Sequence, residues 1–183
     1  MRIFYTASFW GKEKYQKEYD IVLKSITDTG VEILSPEMGN YQEILNKKNL
    51  EKLKSKQEIH YEAIRKGIQW AQAVIIEISQ EDFQLGHEAT LAIEAKKHIL
   101  CLSIHEDFSK KIKNSFFHGL KYNQYNIEEG IQNFIELVKE ETLSERFNLF
   151  LSSKQIAHLN LASNKNGVNK SEYLRLLIDN DRK

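Results

Sequence analysis

In the stretch EISQEDFQLGHEATLAIEAKKHILCL, Glu77 to Leu102, two acids stand six residues apart, Asp82 and Glu88, across a loop that ends in Gly-His-Glu. Both lie between apolar runs, AVIIEIS and HILCLSI, that read as buried strands. One chemistry open to such a pair is cleavage of an N-glycosidic bond, which requires positive charge to be stabilised at the anomeric carbon of a sugar. A carboxylate beneath that carbon forms a covalent sugar intermediate or holds an oxocarbenium-like transition state. A second polar group places the sugar, and a proton donor helps the base depart. Gly86 would let the backbone approach a ligand closely, and Glu88 would project from the first turn of a helix. A plainer description also fits: Glu88 complements the helix dipole and Asp82 is an exposed loop acid.

The elements that must position these acids follow from periodicity. RIFYTA is a short β-prone run, and Tyr15, Tyr19, Val22, Leu23 and Ile26 then recur at helical spacing up to Gly30. VEILSP reads as a second strand stopped by Pro36, and residues 40–58 as a polar, Lys-rich loop with a helical portion. A helix over Ile59–Gln72 leads into AVIIEIS, and a helix over Gly86–Lys97 leads into HILCLSI. A short strand near Tyr122–Tyr125 and a helix over Ile127–Glu141 complete the alternation. Strands that alternate with helices, the inner ones continuously apolar, predict an α/β fold with a parallel sheet covered on both faces. Ligands of such folds bind at the carboxyl ends of the strands, and the Ser79–Glu88 loop leaves one such end.

The pattern changes after residue 142. RFNLFLSS alternates, with Phe147, Leu149 and Leu151 on one face and Arg146, Asn148 and Phe150 on the other. Helices over Ser153–Asn164 and Asn169–Asp179 follow, separated by Asn-Gly. One strand and two helices cannot bury their own apolar face, so this unit should need a partner, most simply a second copy. The expected division is 1–142 and 143–183.

The chain has 183 residues, 41% hydrophobic and 28% charged, with no net charge. That composition excludes a mostly disordered chain and a simple nucleic-acid polycation. Charge is uneven, however: from Arg146 onward seven Lys/Arg face three Asp/Glu, about +4, against about −4 elsewhere. The single Cys101 sits in an apolar run and is expected to be a core residue. No apolar stretch reaches membrane-spanning length and the start lacks a signal-peptide arrangement, so a cytoplasmic protein is expected. His60, His98, His105, His118 and His158 show no metal-ligand spacing, and neither metal nor cofactor is expected. His87, inside the motif, reads either as a helix-start residue turned away from any ligand or as a proton donor. Trp70 reads as core, while Trp10 is open to either core packing or base stacking.

IFYTASFWGKEKYQKEY together with YEAIRKGIQWAQAVIIEISQEDFQLGHEATLAIEAKKHILCL resembles the nucleoside 2-deoxyribosyltransferases and the related 2'-deoxynucleoside 5'-phosphate N-hydrolases, over about residues 2–138. The most specific part is EDFQLGHEATLAI. The resemblance implies a flavodoxin-like parallel sheet with helices on both faces. It implies that Glu88 is the nucleophile and that Asp82 lies near the 5' end of the sugar, where a carboxylate argues against a 5'-monophosphate. Phe4, Ser8, Trp10, Gly11, Ile64 and Gly86 would line the ligand pocket. Three positions depart from the family pattern. Phe4 stands where the family carries a Tyr bonded to the catalytic Glu. Ile64 stands where an Asp handles the base, with Glu62 about 200° away around the helix. Gln72 replaces an Asp at the head of the third strand.

RFNLFLSSKQIAHLNLASNKNGVNKSEYLRLLIDN resembles the ribbon-helix-helix repressors. The resemblance implies a homodimer whose paired strands enter the major groove of operator DNA. Arg146, Asn148 and Phe150 would face base edges, and the amides near Asn169, Lys170 and Ser171 would hold a phosphate. Phe150 departs from the polar residue usual there. The combined expectation is a dimeric, nucleoside- or nucleotide-responsive transcriptional regulator. The alternative is an active N-glycosidic enzyme (deoxyribosyltransferase, N-hydrolase or NAD-type glycohydrolase) with the tail serving dimerisation.

Overall fold

RIFYTA, AVIIE and HILCLS carry apolar side chains on both faces, and only a sheet covered on both sides buries them. They form β1 (Arg2–Ala7), β3 (Ala73–Glu77) and β4 (His98–Ser103), the inner strands of a five-stranded parallel sheet. The edges are β2 (Glu32–Leu34) and β5 (Phe117–Lys121), giving the order β2-β1-β3-β4-β5. This is the flavodoxin-like order that the resemblance implies, and its parallel strands covered on both faces are those expected from the alternation. The computed structural model describes residues 1–46, 50, 53–141 and 147–181. The chain divides into two compact units, Met1–Thr142 and Leu143–Lys183.

In the first unit, α1 (Lys12–Asp28) and α4 (Ile127–Glu141) cover one face of the sheet. Tyr19, Val22, Ile26, Ile131 and Ile135 pack there on Ile3, Tyr5, Ile75 and Leu102. The other face is covered by α2 (Lys56–Trp70) and α3 (Phe83–Glu94), whose Ile64, Ile68, Leu85 and Ala92 pack on Phe4, Val74, Ile76 and Cys101. Tyr5 and Phe4 thus face opposite layers, as strand alternation requires. Among the described residues no helix is long and apolar enough to cross a membrane.

Three of the boundaries that differ from those the sequence suggests have a local cause. The fifth strand is Phe117–Lys121 rather than Tyr122–Tyr125, because its register against β4, Ile99 with Phe117 through Ser103 with Lys121, selects FHGLK. Helix α3 starts at Phe83 rather than Gly86, because Asp82 caps it by accepting the Gln84 amide at 2.8 Å. Helix α2 starts at Lys56 rather than Ile59, because Ser55 accepts the Glu58 amide at 3.1 Å. The expected helical portion of residues 40–58 includes a 3-10 turn at Tyr41–Ile44, and 47–49 and 51–52 lie outside the described residues.

The second unit contains α5 (Ser153–Lys165) and α6 (Lys170–Asp181). Ser152 and Gln155 form a capping box at the start of α5. At its end Val168 donates to the Ser163 carbonyl and Gly167 to the Asn164 carbonyl, both at 3.1 Å, with Gly167 at φ 66°. That is a Schellman turn, and it explains the Asn-Gly pair. The strand expected over RFNLFLSS is not formed: residues 147–152 carry no strand pairing, and Arg146 lies outside the described residues. A strand exists only by pairing with another, and this unit's described residues supply none.

Gly67 of α2 lies against the Phe4 ring, and a Cβ there would stand 2.5 and 2.6 Å from two ring carbons. Phe4 is fully buried, so the ring has no room to yield. Gly67→Ala is expected to destabilise the fold by about 1–3 kcal/mol in denaturant unfolding. An unchanged midpoint would show that the layer between β1 and α2 is loosely packed.

Candidate active site

The loop after β3 leads into α3, and Asp82 fixes where that helix begins. One carboxylate oxygen accepts the Gln84 amide and the other accepts the Ser8 hydroxyl at 2.8 Å. Asp82 therefore ties the loop after β1 to the start of α3 while capping the helix. Six residues on, the pitch of α3 turns Glu88 inward to the β1 side, where it is 1% exposed. Its Oε1 accepts from Gln84 Nε2 at 2.8 Å, and its Oε2 is buried without a hydrogen-bond partner. Burial pushes the Glu88 carboxyl up to about 7; the Gln84 amide and the Thr6 hydroxyl pull it down, and the Asp82 charge adds to the rise.

Glu88 belongs to the lining of a cavity of about 400 Å³ between α2 and α3, within the range of small-molecule sites. Ile64 and Leu91 supply apolar walls, and His60, Tyr61, Gln84 and His87 supply polar groups. The Tyr61 and His87 rings stack, with centroids 5.9 Å apart and planes inclined by 15°. His87, for which the sequence leaves both readings open, lines the cavity, where its ring stacks on Tyr61 of the neighbouring helix.

The remaining sequence candidates divide. Glu88 and Ile64 meet at the cavity, and Ser8 reaches the site through Asp82. Gly86 is exposed, and a side chain there would meet nothing within 4 Å, so open space lies above the first turn. Phe4 is 0% exposed and packs on Gly67, so its ring belongs to the core rather than the cavity lining. Gly11 is buried with the Tyr19 hydroxyl and Gln80 against it; a Cβ would overlap that oxygen, so internal packing requires this glycine. Trp10 is 81% exposed, edge-on to Phe9. Gln72 bonds the Arg2 backbone at the opposite end of the sheet, and Glu62 pairs with Arg65 at 2.7 Å. In the second unit, Asn148 and Phe150 are exposed, and Lys170 and Ser171 are exposed at the start of α6. Asn169 accepts the Glu172 amide at 2.9 Å, so its side chain takes the capping role.

Four groups lie beyond what the sequence pattern singles out. Thr6 places a hydroxyl near Glu88 from the face of β1 that Phe4 occupies two residues earlier, without a hydrogen bond to the unpartnered Oε2. Gln84 was detectable, since it stands four residues before Glu88 on one helix. His60 was not, because only the packing of α2 on α3 brings its Nε2 to 3.0 Å from Gln84 Nε2. Glu77 reads in sequence only as part of a strand. It is fully buried on the opposite sheet face, where Ser79 and the Tyr122 hydroxyl donate to it, and burial pushes its carboxyl up to about 7. Among the described residues no group of three or more His, Cys, Asp or Glu gathers to hold a metal ion.

No family model matches the chain, and no curated protein matches its sequence. Among solved structures the chain is similar to that of a CMP N-glycosidase from Clostridium botulinum, BcmB, with 15% identity and a TM-score of 0.49. The match covers 75% of this chain and 99% of that one.

The raised carboxyls fix a pH dependence. A folded-state value near 7, above the ordinary 4.5, means that the folded protein binds more protons than the unfolded chain between those limits. Stability is then greatest below the window and falls as pH rises through it. Glu88→Gln, neutral at every pH, is expected to remove on the order of 3 kcal/mol of that fall. Denaturant unfolding at about pH 5 and about pH 8 measures it. A fall of the same size in wild type and variant would show that Glu88 ionises without a burial cost.

Proposed function

We propose that the Met1–Thr142 unit is an enzyme of N-glycosidic bonds, acting on a nucleoside or nucleotide with Glu88 as the nucleophile. The observation that carries this reading is the Glu88 carboxyl itself: buried at a cavity, held at one oxygen by Gln84, and without a partner at the other. A carboxyl placed for stability alone finds a donor for each oxygen, as Glu77 does. The proposed reaction has two steps. Ionised Glu88 forms a bond to the anomeric carbon while the N-glycosidic bond breaks, and the base leaves with the electron pair and takes up a proton. Water, or a second base, then displaces the carboxylate. The resemblance of EDFQLGHEATLAI to the deoxyribosyltransferases agrees with this assignment. Asp82 disfavours substrates with a 5'-phosphate by charge repulsion.

Incubation with a panel of nucleosides, deoxynucleosides, 5'-monophosphates and NAD, with chromatography for free base, tests the reading. Base release from at least one class is expected, falling by roughly three orders of magnitude in Glu88→Gln. Absence of Glu88-dependent release across the panel would overturn it.

A second reading concerns the Leu143–Lys183 unit and is favoured by its uncovered apolar side chains. Phe147, Leu149 and Leu161 are 84%, 53% and 73% exposed. A second copy would cover them by pairing the two RFNLFLSS segments, as the ribbon-helix-helix resemblance implies. Operator binding through Arg146, Asn148 and Phe150 would follow from that pairing. Light scattering on the full chain is expected to give twice the chain mass, reduced to a single copy by Leu149→Asp. A wild-type monomer at tens of micromolar would remove both the dimer and the regulator built on it.

A further inference from the structure

A single atom, Nε2 of Gln84, lies 2.8 Å from Glu88 Oε1 and 3.0 Å from His60 Nε2. Beyond it, His60 Nδ1 lies 2.9 Å from the Tyr41 hydroxyl, which also accepts from Gln42 Nε2 at 2.9 Å. Side chains from the 3-10 turn, α2 and α3 thus form one line ending on the buried acid. An amide nitrogen offers two protons and no acceptor. With that nitrogen at the shared point, both neighbours must accept. The carboxylate form of Glu88, the stronger acceptor, is then favoured, and His60 has a bare Nε2 and carries its proton on Nδ1, donated to the Tyr41 oxygen.

Rotating the Gln84 amide by half a turn places its carbonyl oxygen at the same point, and the requirement inverts. Glu88 then carries a proton and donates it, His60 donates from Nε2, and the Tyr41 hydroxyl donates to the bare Nδ1. Both arrangements are fully bonded along the line, and they differ by one proton, the one on Glu88. That proton comes from solvent, and the imidazole proton changes nitrogen by exchange with solvent.

We propose that Gln84 and His60 are positioning residues that tie the protonation of Glu88 to the tautomer of His60. Ionised Glu88 goes with the Nδ1–H imidazole and protonated Glu88 with the Nε2–H imidazole. The link deepens the N-glycosidic reading and rests on it for its catalytic meaning: the nucleophile is ready only when the His60 tautomer aims the Gln84 NH₂ at it. The surroundings leave the two states close enough to exchange. Asp82, from the loop before α3, opposes the ionised form, and Thr6 from β1 favours it. Lys56 and Tyr61 on α2 and His87 on α3 share the cavity. Burial lowers the pKa of His60, which favours its neutral form.

The test is an NMR titration of the full chain carrying ¹⁵N-histidine and ¹³C-glutamate. In wild type, the two His60 nitrogens are expected to exchange protonated and bare signatures at the pH where Glu88 titrates. In Gln84→Leu, at an exposed helical position that leucine suits, that exchange should vanish. The Glu88 midpoint should also rise by about one to two pH units through loss of a charge-assisted hydrogen bond. Glu88→Gln should remove the inflection from His60. A His60 tautomer constant through the Glu88 titration, or one that still switches in Gln84→Leu, would overturn the link. None of these measurements requires turnover. Glu88-dependent base release without linked titration sinks the link alone, and linked titration without base release sinks the enzyme reading alone.

Discussion

A parallel sheet with apolar side chains on both faces must be covered twice, and each cover here buries one carboxyl. Glu77 leaves the end of β3 toward α1 and α4, and Glu88 turns down from α3 toward β1. Removal from water raises both to about 7. The cost is of the same kind on the two faces. What distinguishes the two acids is how each is compensated.

Glu77 is compensated completely. The Ser79 amide and hydroxyl and the Tyr122 hydroxyl converge on it, and the same Ser79 hydroxyl accepts from the Ile104 amide at 3.0 Å. This network joins the ends of β3, β4 and β5 and gives both Glu77 oxygens a donor. Glu88 is compensated by half. One oxygen has Gln84, the other has no partner, and the acid adjoins a cavity large enough for a small molecule. A half-satisfied buried carboxyl costs stability, and such costs gather where a ligand completes the bonding.

The second unit meets the opposite difficulty. Its helices are well specified at their ends, by the capping box at Ser152 and the Schellman turn at Gly167. Its interior is small, with Leu159 as the buried hydrophobic side chain among the described residues and large side chains left in solvent. Local rules suffice to form each helix, whereas hydrophobic burial demands more surface than about forty residues supply. The proposed second copy answers that demand.

Periodicity alone determined much of this protein. The continuous apolar runs gave the three inner strands to within two residues, and Ile127–Glu141 was predicted at its observed bounds. The i, i+4 relation between Gln84 and Glu88 was also legible, since it lies within one helix. The start of α3 was not, because in sequence a capping carboxylate and a sugar-contacting one look alike, and Asp82 serves as the cap. Tertiary structure alone decided the surroundings of Glu88. Thr6, His60 and Tyr61 come from segments far away in sequence, and only the packing of α2 and α3 on one sheet face brings them to the acid. Sequence spacing orders residues along one element; distances between elements are set by how side chains fill the layer between them, and that layer is where Glu88 lost its water.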